Sequence, residues 1–288
     1  MQYPNGASPP DSPRPSRKKE KKPKAPLPSW RKAPRQRAIR ALKRRGRPAL
    51  NRFIARYSEV GDPIVFPAGS SEWESALTDE WESIRDEALR VLDFRDIVPA
   101  FQEVSPDQQR ITTGKHWKTF WLRGFGYRSE RACELCPTTD RVLNRIPGVV
   151  TAFFSILSPH SLIREHSGVT KGMINCHLGL VVPDERSQCR IHVGSEEFGW
   201  ELGELRIFDD TNRHKVRNKT DQDRIVLMIQ FERPLRPPAS WIRNLFFKGL
   251  RVTPYVRRAR ANQLEFEERL AHHLKTQELP SHDPDFAG

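Results

Sequence analysis

Beyond residue 147 the chain alternates short apolar runs with turn residues. The runs 149–157, 173–182, 189–193, 205–208 and 224–231 are rich in β-branched and aromatic side chains and are separated by Gly, Pro, Asp, Asn and Ser. Short strands at this spacing, with no helical stretch between them, predict a mainly β fold of the sandwich or barrel kind. Upstream the period changes. Trp73, Leu77, Trp81, Ile84, Ala88 and Val91 recur at three- and four-residue spacing behind Ser71-x-x-Glu74, which predicts a capping box and one amphipathic helix over 72–92. Pro137 predicts the start of a second helix over 138–144, and Trp117 and Trp121, four apart, read as one helical face packed in a core. After Pro234 the chain turns helical and basic, over 241–248 and 256–274.

Charge divides the chain differently. Of 288 residues, 49 are Lys or Arg and 36 are Asp or Glu, a formal net charge of +13. Residues 1–50 hold sixteen of the cations against only Asp11 and Glu20, so the remaining 238 residues are near neutral. The same stretch holds 10 of the 24 prolines, and 1–29 is expected to be disordered because it cannot bury enough apolar surface to offset chain entropy. Residues 30–57 read as a short basic amphipathic pair of helices broken at Gly46 and Pro48, either a solvated basic tail or a segment that lies on an anionic membrane surface or docks on its own domain; a nucleic-acid partner is not expected. The longest apolar run, Ile225 to Ile229, is far too short to span a bilayer, and no secretory signal is evident. Cys133, Cys136, Cys176 and Cys189 do not make a disulfide framework, so free thiols and a cytoplasmic location, at or near the inner membrane surface, are expected. The implied organisation is a basic Pro-rich tail (1–58), a β-rich domain (59–235) and a helical basic extension (236–288).

The β region also concentrates chemistry. His166, His177, His192, His214 and Arg224 fall within 59 residues. Imidazoles suit iron, zinc and copper, and non-haem iron is typically held by two histidines and a carboxylate, often as His-x-Asp because residues i and i+2 of a strand share a face. Here His166-Ser167-Gly168 has the spacing but glycine in the carboxylate's place, which leaves either no metal site or one with two protein ligands and water. Further on, the polar turn Asn218-Lys219-Thr220 separates two strand-like halves, and a hairpin centred on Lys219 puts His214 and Arg224 directly opposite. A metal beside a carboxylate-binding arginine suits a dicarboxylate that chelates the metal. Asp209 and Asp210 precede His214 as orienting groups, stand-in ligands or turn formers. Cys133-x-x-Cys136 is half of a zinc site or redox pair in pattern, but it lacks the context of either and is read as structural.

His177-Leu-Gly-Leu-Val-Val-Pro183, Trp200-Glu-x-Gly-Glu-Leu, Phe208-Asp-Asp-Thr-x-x-His214 and Asp223-Arg224-Ile-Val together resemble the aspartyl/asparaginyl β-hydroxylase family of iron(II)- and 2-oxoglutarate-dependent dioxygenases. The resemblance runs from about residue 117 to 234. It implies a double-stranded β-helix, or jelly roll, with flanking helices. It also implies Fe(II), with 2-oxoglutarate and O2 as cosubstrates, in an enzyme that decarboxylates 2-oxoglutarate to succinate and hydroxylates an unactivated carbon. By the same resemblance His166 and His214 are the iron ligands, and Gly168 matches a glycine that replaces the acidic ligand in eukaryotic-type members. Arg224 clamps the distal carboxylate of 2-oxoglutarate, and Ser155, His177 and Trp117 line its pocket. Asn175 stands where the family has an arginine, with Arg190 the candidate replacement. The leading reading is hydroxylation of the β-carbon of Asp or Asn in a peptide or protein. The alternative is hydroxylation of lipid A acyl chains at the membrane, because Thr220-Asp-Gln-Asp-Arg-Ile and Phe231-Glu-Arg-Pro resemble that branch. Two further readings are a halogenase, with chloride in an apolar space beside Gly168, and a binding protein on an inactive jelly roll.

Overall fold

The computed structural model describes residues 46–278 apart from 70, 106–109 and 113. The stretch 1–29 and the first of the two basic helices expected over 30–57 lie outside the described residues. The second is helix Arg47–Arg56. Pro48 starts this helix instead of breaking it, since a first-turn proline lacks only an N–H that has no helical partner. Ile54 on this helix is buried against Leu235 and Ala239. The described residues form one compact unit.

Two antiparallel sheets make the body. The strands in chain order are β1 (Val65–Phe66), β2 (Trp117–Gly124), β3 (Tyr127–Arg128), β4 (Val149–Leu157), β5 (Ser161–His166), β6 (Met173–Val181), β7 (Cys189–Val193), β8 (Glu196–Phe198), β9 (Leu205–Phe208), β10 (His214–Asn218) and β11 (Arg224–Glu232). The larger sheet runs β1-β9-β6-β11-β4-β2-β3 and the smaller β5-β10-β7-β8, the arrangement of a cupin-like jelly roll.

β4 and β11 are buried along nearly their whole length because both faces of the larger sheet are covered. On its outer face Phe120, Phe154, Ile156, Leu178 and Leu227 pack with Ile84 and Ala88 of helix Trp81–Leu92 and with Phe266 and Leu270 of helix Pro254–Glu278. On its inner face Trp117, Leu157, Phe208 and Val226 meet Ile163, Ile191, Val193 and Val216 of the smaller sheet. That second apolar layer walls the space in which the histidines and Arg224 lie.

The helix expected over 72–92 is two, Glu72–Asp79 and Trp81–Leu92, with the backbone leaving helical geometry at Glu80 (φ −104°, ψ 10°). The capping box does not form: the Ser71 side chain makes no cap bond, and the Glu74 carboxylate accepts from the Gly69 N–H instead. Helix Pro137–Leu143 starts as its proline predicts, and the buried Glu87 carboxylate accepts its Thr138 and Thr139 N–H groups at 2.7 and 2.8 Å. Trp117 and Trp121 are on β2, not a helix, since a spacing of four is same-face in both structures.

Candidate active site

His166 and His214 are the nearest pair of candidate ligands. They are directly opposed in the β5–β10 ladder, with ring centroids 4.1 Å apart. Simple alternation from Ser161 and Ile163, both buried, sends His166 to the outer face of β5. A bulge prevents this: His214 pairs with His166 while Val216 pairs with Ile163, so β5 spends one extra residue and His166 turns toward His214. The Nδ1 atoms hydrogen-bond backbone carbonyls, His166 to Arg164 at 2.8 Å and His214 to Asn212 at 2.9 Å. A carbonyl only accepts, so each Nδ1 carries the proton and each Nε2 keeps its lone pair, the form that binds metal. Burial pushes His166 down to about 4, helped by the neighbouring His214, and lowers His214 also, so both are neutral at pH 7.

Arg224 lies at the other end of this space. It is 1% exposed and has no acidic partner among the described residues. Its closest polar contacts are Nη1 to Ser155 O and Oγ, both 3.4 Å, and its Nε has no partner. Trp200 lies against the guanidinium, with Cζ 4.6 Å from the ring centroid, and Trp117 Nε1 donates to Ser155 Oγ at 2.9 Å. Burial pulls Arg224 down to about 10, so it remains a cation at neutral pH. His177 is nearby and neutral, held well below its ordinary value by burial and by Arg224. Its Nδ1 accepts from Trp200 Nε1 at 3.3 Å, so its proton is on Nε2, which is buried with no partner. A buried cation and a buried donor, both unpaired, are what a bound carboxylate ligand satisfies.

Between the histidines and the far end of β11, Asp210 fills the place a side chain at 168 needs. A Cβ on Gly168 comes within 2.1 Å of Asp210 Oδ1. The carboxylate is held by Gln230 Nε2 at 3.2 Å and by the Asn175 amide, and burial with the nearby Asp209 raises it to about 7. The space beside Gly168 is therefore occupied by a carboxyl group, not an apolar slot for chloride, which removes the basis of the halogenase reading. Asp209 accepts from Thr211 and bonds Arg233 at 2.6 Å and Lys171 at 2.7 Å, fixing the turn that leads into His214. Gly168→Asp is expected to destabilise the protein by about 3 kcal/mol or more through overpacking and like-charge contact. Adding Asp210→Gly restores most of that loss, and urea unfolding of the single and double variants measures both.

Three expected placements are corrected. Arg190 alternates with the buried Cys189 and Ile191, so it lies on the outer face of the smaller sheet beside Glu197 and does not reach the pocket. His192, beside the same Glu197 at 3.1 Å, is also on that face. His214 and Arg224 are not cross-strand neighbours: β10 ends at Asn218, whose amide bonds Ser158 O and Gln222 O, and the chain crosses to the larger sheet, where Arg224 pairs with Leu157. They approach from opposite sheets. The sequence reading missed Arg47, which bonds Ser167 Oγ at 3.2 Å and the Gly168 carbonyl, and it gave Trp200 no role. All four cysteines are buried and none is paired with another. Among the described residues no group of three His, Cys, Asp or Glu side chains is placed to hold a metal.

The sequence pattern of the family described as aspartyl/asparaginyl beta-hydroxylase matches residues 78–234. The ornithine lipid ester-linked acyl 2-hydroxylase of Rhizobium tropici is 34% identical over 214 residues, 74% of this chain and 76% of that protein. The chain belongs to the aspartyl/asparaginyl beta-hydroxylase family. Human aspartyl/asparaginyl beta-hydroxylase is 30% identical over 59% of this chain, but the match spans only 22% of that longer protein. Among solved structures a Pseudomonas putida prolyl-4-hydroxylase is 18% identical over 55% of this chain and 98% of that one, at a TM-score of 0.35, an overlap too loose to bear on function. As a member of this family the protein is a hydroxylase, and membership implies dependence on Fe(II) and 2-oxoglutarate. The residues present fit those groups. Two neutral imidazoles offer adjacent Nε2 lone pairs, and an unpaired buried arginine and imidazole N–H offer carboxylate donors.

Proposed function

We propose that this protein is an Fe(II)- and 2-oxoglutarate-dependent hydroxylase whose substrate is a lipid acyl chain. The observation that carries the chemistry is Arg224, a fully buried cation with no acidic partner among the described residues, in the same inter-sheet space as a pair of metal-competent histidines. His166 and His214 hold Fe(II) through Nε2. Arg224 holds the far carboxylate of 2-oxoglutarate, with Ser155 and Trp117 fixing the polar wall behind it and Trp200 flanking the guanidinium. His177 Nε2–H takes over the donor role that Arg190 does not reach and Asn175, bonded to Asp210, does not supply. Bound Fe(II) with 2-oxoglutarate and O2 supplies the oxidising power to hydroxylate an unactivated C–H bond. The apolar walls from Leu157, Ile191, Val216 and Val226 keep water from competing for it.

For the substrate, the similarity to an acyl-chain hydroxylase covers three quarters of both chains, whereas the match to the human Asp/Asn enzyme covers about a fifth of that protein. Incubation with Fe(II), ascorbate, 2-oxoglutarate and O2, separately with detergent-dispersed acyl aminolipids and with Asp/Asn peptides, tests the reading by mass spectrometry. One added oxygen atom on an acyl chain, matched by succinate, is the expected result. Oxygen added to the peptide and not the lipid returns the substrate to the Asp/Asn reading.

A further inference from the structure

We infer that helix Ala239–Arg251 is a membrane-contact face that seats the protein on an anionic lipid surface beside the mouth of the site. The inference rests on the lipid reading above and moves the contact from the N-terminal tail to the C-terminal side of the domain.

The helix is amphipathic in the reverse sense to one that ends at its own core. Ala239 and Phe247 are buried, and Phe246 and Phe247 pack with Val150 and Met173, at the starts of β4 and β6, and with Phe125. The opposite face carries Trp241, Leu245 and Val252, 67%, 72% and 60% exposed, with Ile242 beside them. Positions 241, 245, 248 and 252 line up along one side of a helix, so three large apolar groups and Lys248 form a single outward stripe. Isolated exposed apolar residues need no explanation, but a contiguous stripe of them containing tryptophan does.

Charge identifies the occupant. Between Glu232 and Glu265 the sequence contains eight Lys or Arg residues and no Asp or Glu; two of them are ion-paired, Arg233 with Asp209 and Arg243 with Glu232. Lys248 and Arg251 are exposed, with no acidic partner among the described residues. A short helix with tryptophan and aliphatic groups outward, flanked by unpaired cations, matches an interface between water and anionic lipid headgroups, where the indole sits at headgroup level. No described helix is long and apolar enough to cross a membrane, so this one lies on the surface.

Position ties the face to the reaction. Along β11, Arg224, Met228, which pairs with His177, and Gln230, which holds Asp210, fall on one face of the strand. The strand ends at Glu232, which pairs with Arg243 of this helix at 2.7 Å. Arg243 also abuts Gly172, four residues beyond Gly168. This places the lipid-contact face at the end of β11 opposite Arg224.

The test uses the full chain and vesicles of phosphatidylcholine containing phosphatidylglycerol, some carrying bromine-labelled acyl chains that quench nearby indoles. Native protein is expected to bind and to lose tryptophan fluorescence on the brominated vesicles. Trp241→Phe is expected to keep binding and lose most of the quenching. Trp241→Ser with Leu245→Ser is expected to bind at least about tenfold more weakly, given the apolar area withdrawn from the bilayer. Quenching that survives in Trp241→Phe places another tryptophan, such as Trp30 of the basic tail, in the bilayer and overturns the proposal. So does binding unaffected by the Ser pair, or no binding by native protein. None of these readouts requires turnover: vesicle binding through Trp241 with no oxygen added to lipid leaves this face standing and removes the lipid substrate.

Discussion

Replacing Arg224 by methionine raises the 2-oxoglutarate concentration for half-maximal turnover by about a hundredfold or more, while the cosubstrate-free protein gains about 1 kcal/mol or more of stability. The two effects share one cause. Arg224 is 1% exposed and faces Trp200, Ser155 and apolar strand residues, with no carboxylate among the described residues to offset its desolvation. An apolar side chain of similar length removes that cost in the empty protein. It also removes the bidentate partner of the incoming dicarboxylate, and a neutral side chain cannot replace a buried charge pair. Measuring the thermal midpoint without cosubstrate and KM for 2-oxoglutarate on the same variant separates this from a structural role, which predicts a fall in the midpoint. Arg224→Lys is expected to recover only part of the loss, because a point charge does not reproduce the guanidinium fork.

The second large effect concerns the histidines. His166→Ala and His214→Ala are each expected to weaken anaerobic Fe(II) binding by more than about a hundredfold and to abolish turnover, because each removes half of a two-ligand set. Calorimetry with Fe(II) measures the first and succinate release the second. The carbonyl that accepts from each Nδ1 belongs to a residue two positions earlier, Arg164 or Asn212. That bond fixes the tautomer and the ring orientation before metal arrives. Circular dichroism of both variants is expected to match the native protein, since neither imidazole carries the apolar packing between the sheets.

The strands legible in the sequence were the apolar, β-branched and aromatic runs. Residues 149–157, 189–193 and 205–208 coincide with β4, β7 and β9 because β-branched and aromatic runs there end at clear turn residues. β5 carries Leu162, Arg164 and Glu165 outward, and its half-polar character hid it from a search for apolar runs; the strand-like half from His214 is β10. The bulge that turns His166 inward has no local signature, because it is set by pairing with a strand some fifty residues away. Clustering marked the histidines and Arg224 as chemistry, and the family resemblance supplied their roles. The hairpin that would have joined His214 to Arg224 failed because a jelly roll sends successive strands to opposite sheets. Arg190 failed by one residue of alternation, and Arg47 was beyond reach because only the fold brings residue 47 to residue 168. The Asp210 carboxyl lying where a side chain at 168 would go is likewise a property of two loops together.

The most direct test is an anaerobic titration of the native protein with Fe(II) and then 2-oxoglutarate, followed by visible absorption, beside His166→Ala and Arg224→Met. A weak metal-to-ligand charge-transfer band is expected in the native protein. It is expected to be absent in His166→Ala and to require about a hundredfold more 2-oxoglutarate in Arg224→Met. No band in the native protein at saturating Fe(II) and 2-oxoglutarate, or a band indifferent to both substitutions, contradicts the assignment of His166, His214 and Arg224 as the site.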